Sequence, residues 1–283
     1  MKSSPISRSF RFITPAFVHG AYQAQQSNIP ELRAPSIRGQ LRWWWRTLGY
    51  GSGDELFGSA SGDHGSASRV QTRLISPPEP HHCTAQILPH KENPNHRGSK
   101  QAIQERQDLF TIEIRPLRGG LNEEEAKRLS NTLDAWLLMG AVGQRANRSA
   151  GSVWPEANAP EAPAEYLKLC RSLLAGSKTK IALLDAHMEN VHEVRDLSGR
   201  FLGGFNVTVP GKVFGSASPR KSSSIKLRAV FLDGCYRIAA LWGPKDSGDT
   251  ATNLQSALTQ MKQIPAKAEL AILIENALPD LIS

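Results

Sequence analysis

Residues 9–18, SFRFITPAFV, alternate in character: Phe10, Phe12 and Thr14 fall on one side, Arg11 and Ile13 on the other, and Pro15 interrupts the ladder. The pattern predicts a first strand. A polar stretch follows, and Ser36, after Pro35, is the predicted N-cap of a helix that Gly49 and Gly51 close. At 100° per residue Ile37, Leu41, Trp44 and Leu48 form one apolar stripe of that helix, its buried face. Residues 68–75 alternate as a second strand, whereas 76–100, rich in proline and histidine, read as loop. Phe110, Ile112 and Ile114 mark a third strand over 108–117. Asn122 with Glu125 three residues on is a capping-box start to a second helix reaching about Met139, and GSVWP gives a short fourth strand.

Strand, helix, strand, strand, helix, strand is the order of a ferredoxin-like α+β fold. Residues 155–165, PEANAPEAPAE, have the composition of a linker. The chain is 283 residues, which at about 150 per domain suggests two domains; we expect one over 1–155 and another over 156–283. The second part reads as a helix (164–174), an apolar stretch (181–184), a hairpin turning at Asp233-Gly234, a helix (251–262) and a last strand (268–275). Two similar α+β domains in tandem fit this order, although no internal repeat stands out along the string.

Composition narrows the classes. Hydrophobic residues are 40% and charged residues 21%, as in a folded globular chain. No apolar run approaches the ~18–20 residues of a membrane span, and MKSSPISRSF lacks the apolar stretch of a signal peptide. Three scattered cysteines, Cys83, Cys170 and Cys235, exclude a disulfide framework and a four-cysteine zinc site, and make a reducing cytoplasm the expected location.

The net charge of +8 is concentrated at the N-terminal end, where Lys2, Arg8, Arg11, Arg33, Arg38, Arg42 and Arg46 face a single acid, Glu31, within the first fifty residues. Arg38, Arg42 and Arg46 recur every fourth residue and form a stripe beside the apolar one. Their spacing of about 6 Å along a helix matches a nucleic-acid backbone, and the helix holds no acid to pair with them. Trp43 and Trp45 project elsewhere, either to stack on bases or to pack in the core. In MGAVGQRANRSAGSV, Gly140, Gly143 and Gly151 allow backbone amides to approach a ligand and Arg145 and Arg148 add charge, although a helix C-cap also accounts for Gly140.

Other constellations fail on spacing. His81, His82, Cys83, His90 and His96 match no common zinc pattern, and His187 and His192 are five apart, which on a helix separates them by about 140°. Residues 215–222 lack the second glycine of a P-loop, 58–62 carry alanine where a hydrolase places its serine, and 49–53 follow a helix rather than a strand, unlike a dinucleotide fingerprint. No cofactor or metal is expected.

RFITPAFVHGAYQ, ELRAPSIRGQLRWWWRTL, DELFGSASG and GAVGQRANRSAGSV together resemble the RAMP superfamily of CRISPR ribonucleoproteins, and more narrowly the first-numbered subunit of the type III-B (Cmr) effector. The likeness covers mainly 10–73 and 139–155, and beyond them VFGSASPRKSSSIKLR. The glycine loop departs from the family in having Ser149-Ala150 where Arg-Gly and an apolar residue are usual. The resemblance implies two ferredoxin-like domains and a non-catalytic RNA-binding subunit of an antiviral complex. Such a subunit would hold guide RNA (crRNA) near its 3′ end, help admit target RNA, sit beside other RAMP subunits and contact no membrane. Carried over by position, Arg38, Arg42, Arg46, Arg145 and Arg148 are its RNA contacts, with Ser36, Trp43 and Ser59 nearby and Arg220 and Lys221 on a second basic loop. Some RAMP proteins cut RNA by acid–base chemistry, so the alternative is an endoribonuclease that processes guide precursors, with His19 as its catalytic group.

Overall fold

The computed structural model describes residues 4–19, 29–60, 65–89, 98–117, 119–204, 213–216, 221–243, 252–253 and 256–257, with no side-chain description at 185–186 and 201–204. The helix expected over 251–262 lies mostly outside these residues, and the strand expected over 268–275 lies wholly outside them.

The first sheet is antiparallel, in the order β2 (Val70–Ile75), β5 (Phe110–Pro116), β1 (Ile6–Phe12), β6 (Val153–Pro155). Helices α1 (Ala34–Thr47) and α3 (Glu123–Met139) cover one face of it. The alternation in β1 and β5 brings Phe10, Phe12, Phe110, Ile112 and Ile114 onto that face, all essentially without exposure, and Phe10 packs edge-on to Trp136 of α3 with ring centroids 5.0 Å apart. Thr14 is buried as its place in the alternation requires, and its hydroxyl accepts from Ser152 N at 3.0 Å. Asn122 and Glu125 close the expected capping box on α3.

The stretch read as loop before β5 holds a two-stranded ribbon, β3 (His82–Gln86) with β4 (Ser99–Ile103). Its strands are mostly polar or small, so they carried no apolar signal; at the anchored end Ala102 packs with Phe17 and Ala150, and Ile103 exchanges backbone hydrogen bonds with Ala16. A four-residue helix, α2 (Asp54–Phe57), follows α1.

The second sheet has the order β7 (Lys180–Met188), β9 (Cys235–Trp242), β8 (Ile225–Leu232), also antiparallel. Helices α4 (Pro163–Leu173) and α5 (Val191–Gly204) accompany it, and Asp233-Gly234 turns the hairpin with both φ values positive, as the dipeptide implied. His187 ends β7 and His192 begins α5, so the two histidines do not share a helix at all. The expected linker is tied to both sheets: Glu156 accepts an ion pair from Arg11, and Asp233 N donates to Glu161 O at 2.7 Å.

The two sheets share one plan. β2-β5-β1 and β8-β9-β7 have the same pairings, and Phe-Gly-Ser-Ala-Ser occurs twice, at 57–61 and 214–218, each time between a helix and the edge strand. Around the first copy Gly58 has φ +77°, Ser59 pairs with Ser66, and Arg69 N donates to Leu56 O at 3.0 Å. Around the second, Gly215 has φ +86°, Ser216 pairs with Lys221, and Ser224 N donates to Val213 O at 2.8 Å. The identical letters are too short a run to stand out along the string, and the hydrogen bonds around them carry the repeat further.

Candidate nucleic-acid interface

In α1 the stripe Ile37, Leu41, Trp44 and Leu48 is buried as expected. The N-cap is Arg33, not Ser36: Pro35, which has no N–H to donate, sits in the first helical turn, so the helix begins three residues earlier and Ser36, exposed, donates its N–H to Arg33 O at 3.0 Å. Trp45 is core. Its ring meets Tyr50 and Phe57 edge-on, because the chain beyond the helix folds back over it. Trp43 is half-buried, edge-on to Trp44 at 4.9 Å, with Lys226 Nζ 4.9 Å over its ring; packing is what the geometry gives it.

The arginine stripe divides. Arg38 donates to Phe57 O, and Arg42 donates to Gly58 O at 2.8 Å and to the Asp54 carboxylate. α1 itself has no acid, as read from the sequence, but α2 brings one across to Arg42. Arg46 is exposed, and among the described residues its side chain donates only within its own helix, to Arg42 O at 3.3 Å. Ser59 Oγ lies 3.2 Å from Ser66 Oγ within the turn that Arg38 and Arg42 hold.

The glycine/arginine loop is built differently. Gly140 is the C-cap of α3, and the chain then runs back beside itself, with Val142 N donating to Gly151 O and Gly151 N to Pro15 O, both at 2.9 Å. Arg145 and Ser149 adopt left-handed backbone conformations at φ 60° and 59°, which L-residues rarely enter. The far side of the loop lies against β8: Ser149 N donates to Leu227 O at 3.1 Å, Leu227 N to Asn147 O at 3.2 Å, and Ser149 Oγ meets Ser198 Oγ of α5 at 2.6 Å. β8 therefore touches both arginine-bearing segments, through Lys226 on Trp43 and Leu227 on Asn147 and Ser149.

Arg145 and Arg148 are half-buried, and neither side chain has a hydrogen bond or carboxylate partner among the described residues. Burial lowers the pKa of Arg145. It brings Arg148 down to about 10, with the neighbouring Arg145 charge adding to the effect. Both remain charged at neutral pH. Two partly desolvated cations that oppose one another are relieved by an anion placed between them, and planar guanidinium forks suit a phosphate.

His19 pairs with Pro30 through its backbone, and both ring nitrogens are shielded from solvent with no hydrogen-bond partner among the described residues; burial, then Lys100, lowers its pKa, which favours the neutral ring at pH 7. Lys221 closes the second Phe-Gly-Ser turn opposite Ser216, and Arg220 lies outside the described residues. His90 and His96 also lie outside them. Among the described residues, no group of three or more His, Cys, Asp or Glu side chains is placed to hold a metal, and no helix is long and apolar enough to cross a membrane. The three cysteines are free thiols. Sequence reasoning offered Asp54 only as an alternative acid for RNA cleavage, and gave the β8 residues Lys226, Leu227 and Arg228 no individual role. The one signal was a charge, Arg228, set directly between the apolar residues Leu227 and Ala229 of the strand.

This combination, an antiparallel sheet under two helices with an arginine-bearing loop after the second, is matched by a family model. The model of the RAMP superfamily matches residues 9–154, just over half of the chain, and the chain belongs to that superfamily. Among solved structures it is similar to Cmr1 from Pyrococcus furiosus in its apo form, at 14% identity and TM-score 0.53, covering 84% of this chain and 87% of that one. It is also similar to a chain of the type III-B Cmr-beta complex bound to cognate target RNA, at 8% identity and TM-score 0.54, covering 90% of this chain and 98% of the other. A second structure of Cmr-beta, with target RNA, AMPPnP and single-stranded DNA, matches at 10% identity and TM-score 0.55 over the same shares. A search of curated proteins by sequence finds no match. At these identities the likenesses establish the fold.

Proposed function

We propose that this chain is an RNA-binding, non-catalytic subunit of a CRISPR type III effector, holding guide RNA near its 3′ end and helping to admit target RNA beside other RAMP subunits in antiviral defence. The observation that carries the reading is the pair Arg145 and Arg148, two half-buried guanidiniums on a strained loop with no carboxylate partner among the described residues. Superfamily membership and the likeness to chains of complexes described as bound to target RNA support it. We take 1–155 and 156–283 as the two domains. Arg46 extends the cationic surface. Arg38 and Arg42 contribute charge while also holding the turn at 57–58. Ser36, Ser59, Trp43 and Lys221 border the surface in this reading, and Arg220 stays an RNA-contact candidate from the sequence alone. His19 is left without a catalytic role, because it presents no ring nitrogen to solvent.

The test is a salt titration of RNA binding by the full chain. Removing one cation that neutralises a phosphate should flatten the slope of log affinity against log salt by about 0.7 for single-stranded RNA, whatever its sequence. Arg145→Ala with Arg148→Ala should flatten it by roughly twice that amount. Wild-type slopes in both this pair and Arg46→Ala, in folded protein, would remove the reading. Cleavage of repeat RNA by the isolated chain, abolished by His19→Ala, would replace it with the endoribonuclease.

A further inference from the structure

Arg228 stands in β8 among apolar neighbours and is 5% exposed. A guanidinium taken out of water is strongly disfavoured unless its N–H groups find acceptors. Here the acceptors are main-chain carbonyls. Nε donates to Met139 O at 3.1 Å, and Nη1 donates to Ala146 O at 2.5 Å and to Leu227 O at 2.9 Å. No carboxylate pairs with it among the described residues, and burial brings its pKa down to about 10, so it stays charged at neutral pH.

The three carbonyls are not scattered. Met139 ends α3, where the glycine/arginine loop departs, and Ala146 lies at the crown of that loop between Arg145 and Arg148. Leu227 is the β8 residue whose backbone bonds Asn147 and Ser149. A single buried cation thus joins the root of the loop, its crown and the strand beneath it. Because a trans peptide points its C=O and N–H in opposite directions, drawing Ala146 O inward turns the Asn147 N–H outward. Ser152 Oγ continues the seam, accepting from Ala229 N at 3.0 Å and donating to Ser149 O at 3.3 Å.

We propose that Arg228 is the positioning residue of the anion seat formed by Arg145 and Arg148: its hydrogen bonds to Met139, Ala146 and Leu227 carbonyls hold two mutually repelling guanidiniums in place for an RNA phosphate. The proposal rests on reading that loop as an RNA contact. Arg228 itself touches no ligand. Its sign matters as well as its bonds. A positive charge under the loop attracts the carbonyl oxygens and makes binding depend on the second sheet, from which Arg228 comes.

The experiment compares wild type, Arg228→Lys, Arg228→Gln and Arg145→Ala/Arg148→Ala in the full chain, by melting curve, amide hydrogen exchange and salt-dependent RNA binding. In a folded Arg228 variant, exchange should accelerate at Val142, Gln144, Arg148 and Ser149 but not in β7 or β9. RNA affinity should fall about as far as in the double arginine variant, and combining the substitutions should add nothing further. Lysine should restore part of the affinity and glutamine none. Unchanged exchange in the loop would overturn the proposal, as would full additivity with the arginine pair. Unfolding of both Arg228 variants would also overturn it, since that would assign Arg228 to the core rather than to the loop. If the double arginine variant binds RNA like wild type while the loop still loosens in Arg228→Lys, the RNA reading fails and the positioning role survives.

Discussion

The two Phe-Gly-Ser turns solve the same backbone problem with different surroundings. In each, a phenylalanine is fully buried, a glycine sits at positive φ, and a serine bonds both ends of the crossing: Ser68 Oγ to Leu56 O and Val70 O, Ser223 Oγ to Val213 O and Ile225 O. A Cβ on Gly58 would lie 2.8 Å from Ser66 O, and one on Gly215 would lie 2.9 Å from Lys221 O. The first turn is held by a helix stripe, with Arg38 and Arg42 on the Phe57 and Gly58 carbonyls. The arginines of α5 are committed elsewhere, Arg195 to Gln86 O and the Phe17 ring, Arg200 to Asp196. The glycine and serines of the motif are therefore explained by the turn itself, in both copies. At the first copy Arg38 and Arg42 are added to it.

That comparison can be broken in order of expected effect. Phe57→Ala and Phe214→Ala each empty a sealed aromatic site and should cost about 3–5 kcal/mol in urea unfolding; a Phe214→Ala cost below half that of Phe57→Ala would mean the second copy packs more loosely. Gly58→Ala and Gly215→Ala combine positive φ with a backbone clash and should each cost roughly 1–3 kcal/mol. A neutral result at one glycine would end the equivalence of the turns. Arg42→Ala and Asp54→Asn, by contrast, disturb an ion pair whose side chains are 30% and 42% exposed, and each should change stability by less than about 1 kcal/mol. A larger effect would make the arginine clamp part of the first turn's stability rather than an addition to it.

What was readable along the chain was local. The buried stripe of α1, the Asn122–Glu125 box and the Asp233-Gly234 turn each depend on residues within a few positions of one another, so pattern and chemistry agree. What was missed depends on distant partners. Trp45 is buried by Tyr50 and Phe57 arriving from beyond the helix, and Arg42 is paired by Asp54 of the next one. The ribbon β3–β4 is held by cross-strand pairing, by Ala16, and by Cys83, Ala85 and Ala102 packing with Phe17 and Ala150 from distant parts of the chain. For the candidate site, the sequence supplied Arg145 and Arg148 but not the floor beneath them, because that floor is a strand of the other sheet.

The seam between that loop and β8 also sets an order in time. Arg228 follows Ala146 by 82 residues. During synthesis the loop therefore emerges well before the strand that anchors it, and domains fold largely in the order in which they are made. A nascent chain, or a product truncated before β8, carries both loop arginines without the carbonyl anchor that spaces them. The same holds for a fragment cut at residue 155. Under the proposed function, competence to grip a phosphate would arrive with completion of the second sheet, and unfinished chains would compete poorly with finished ones for RNA.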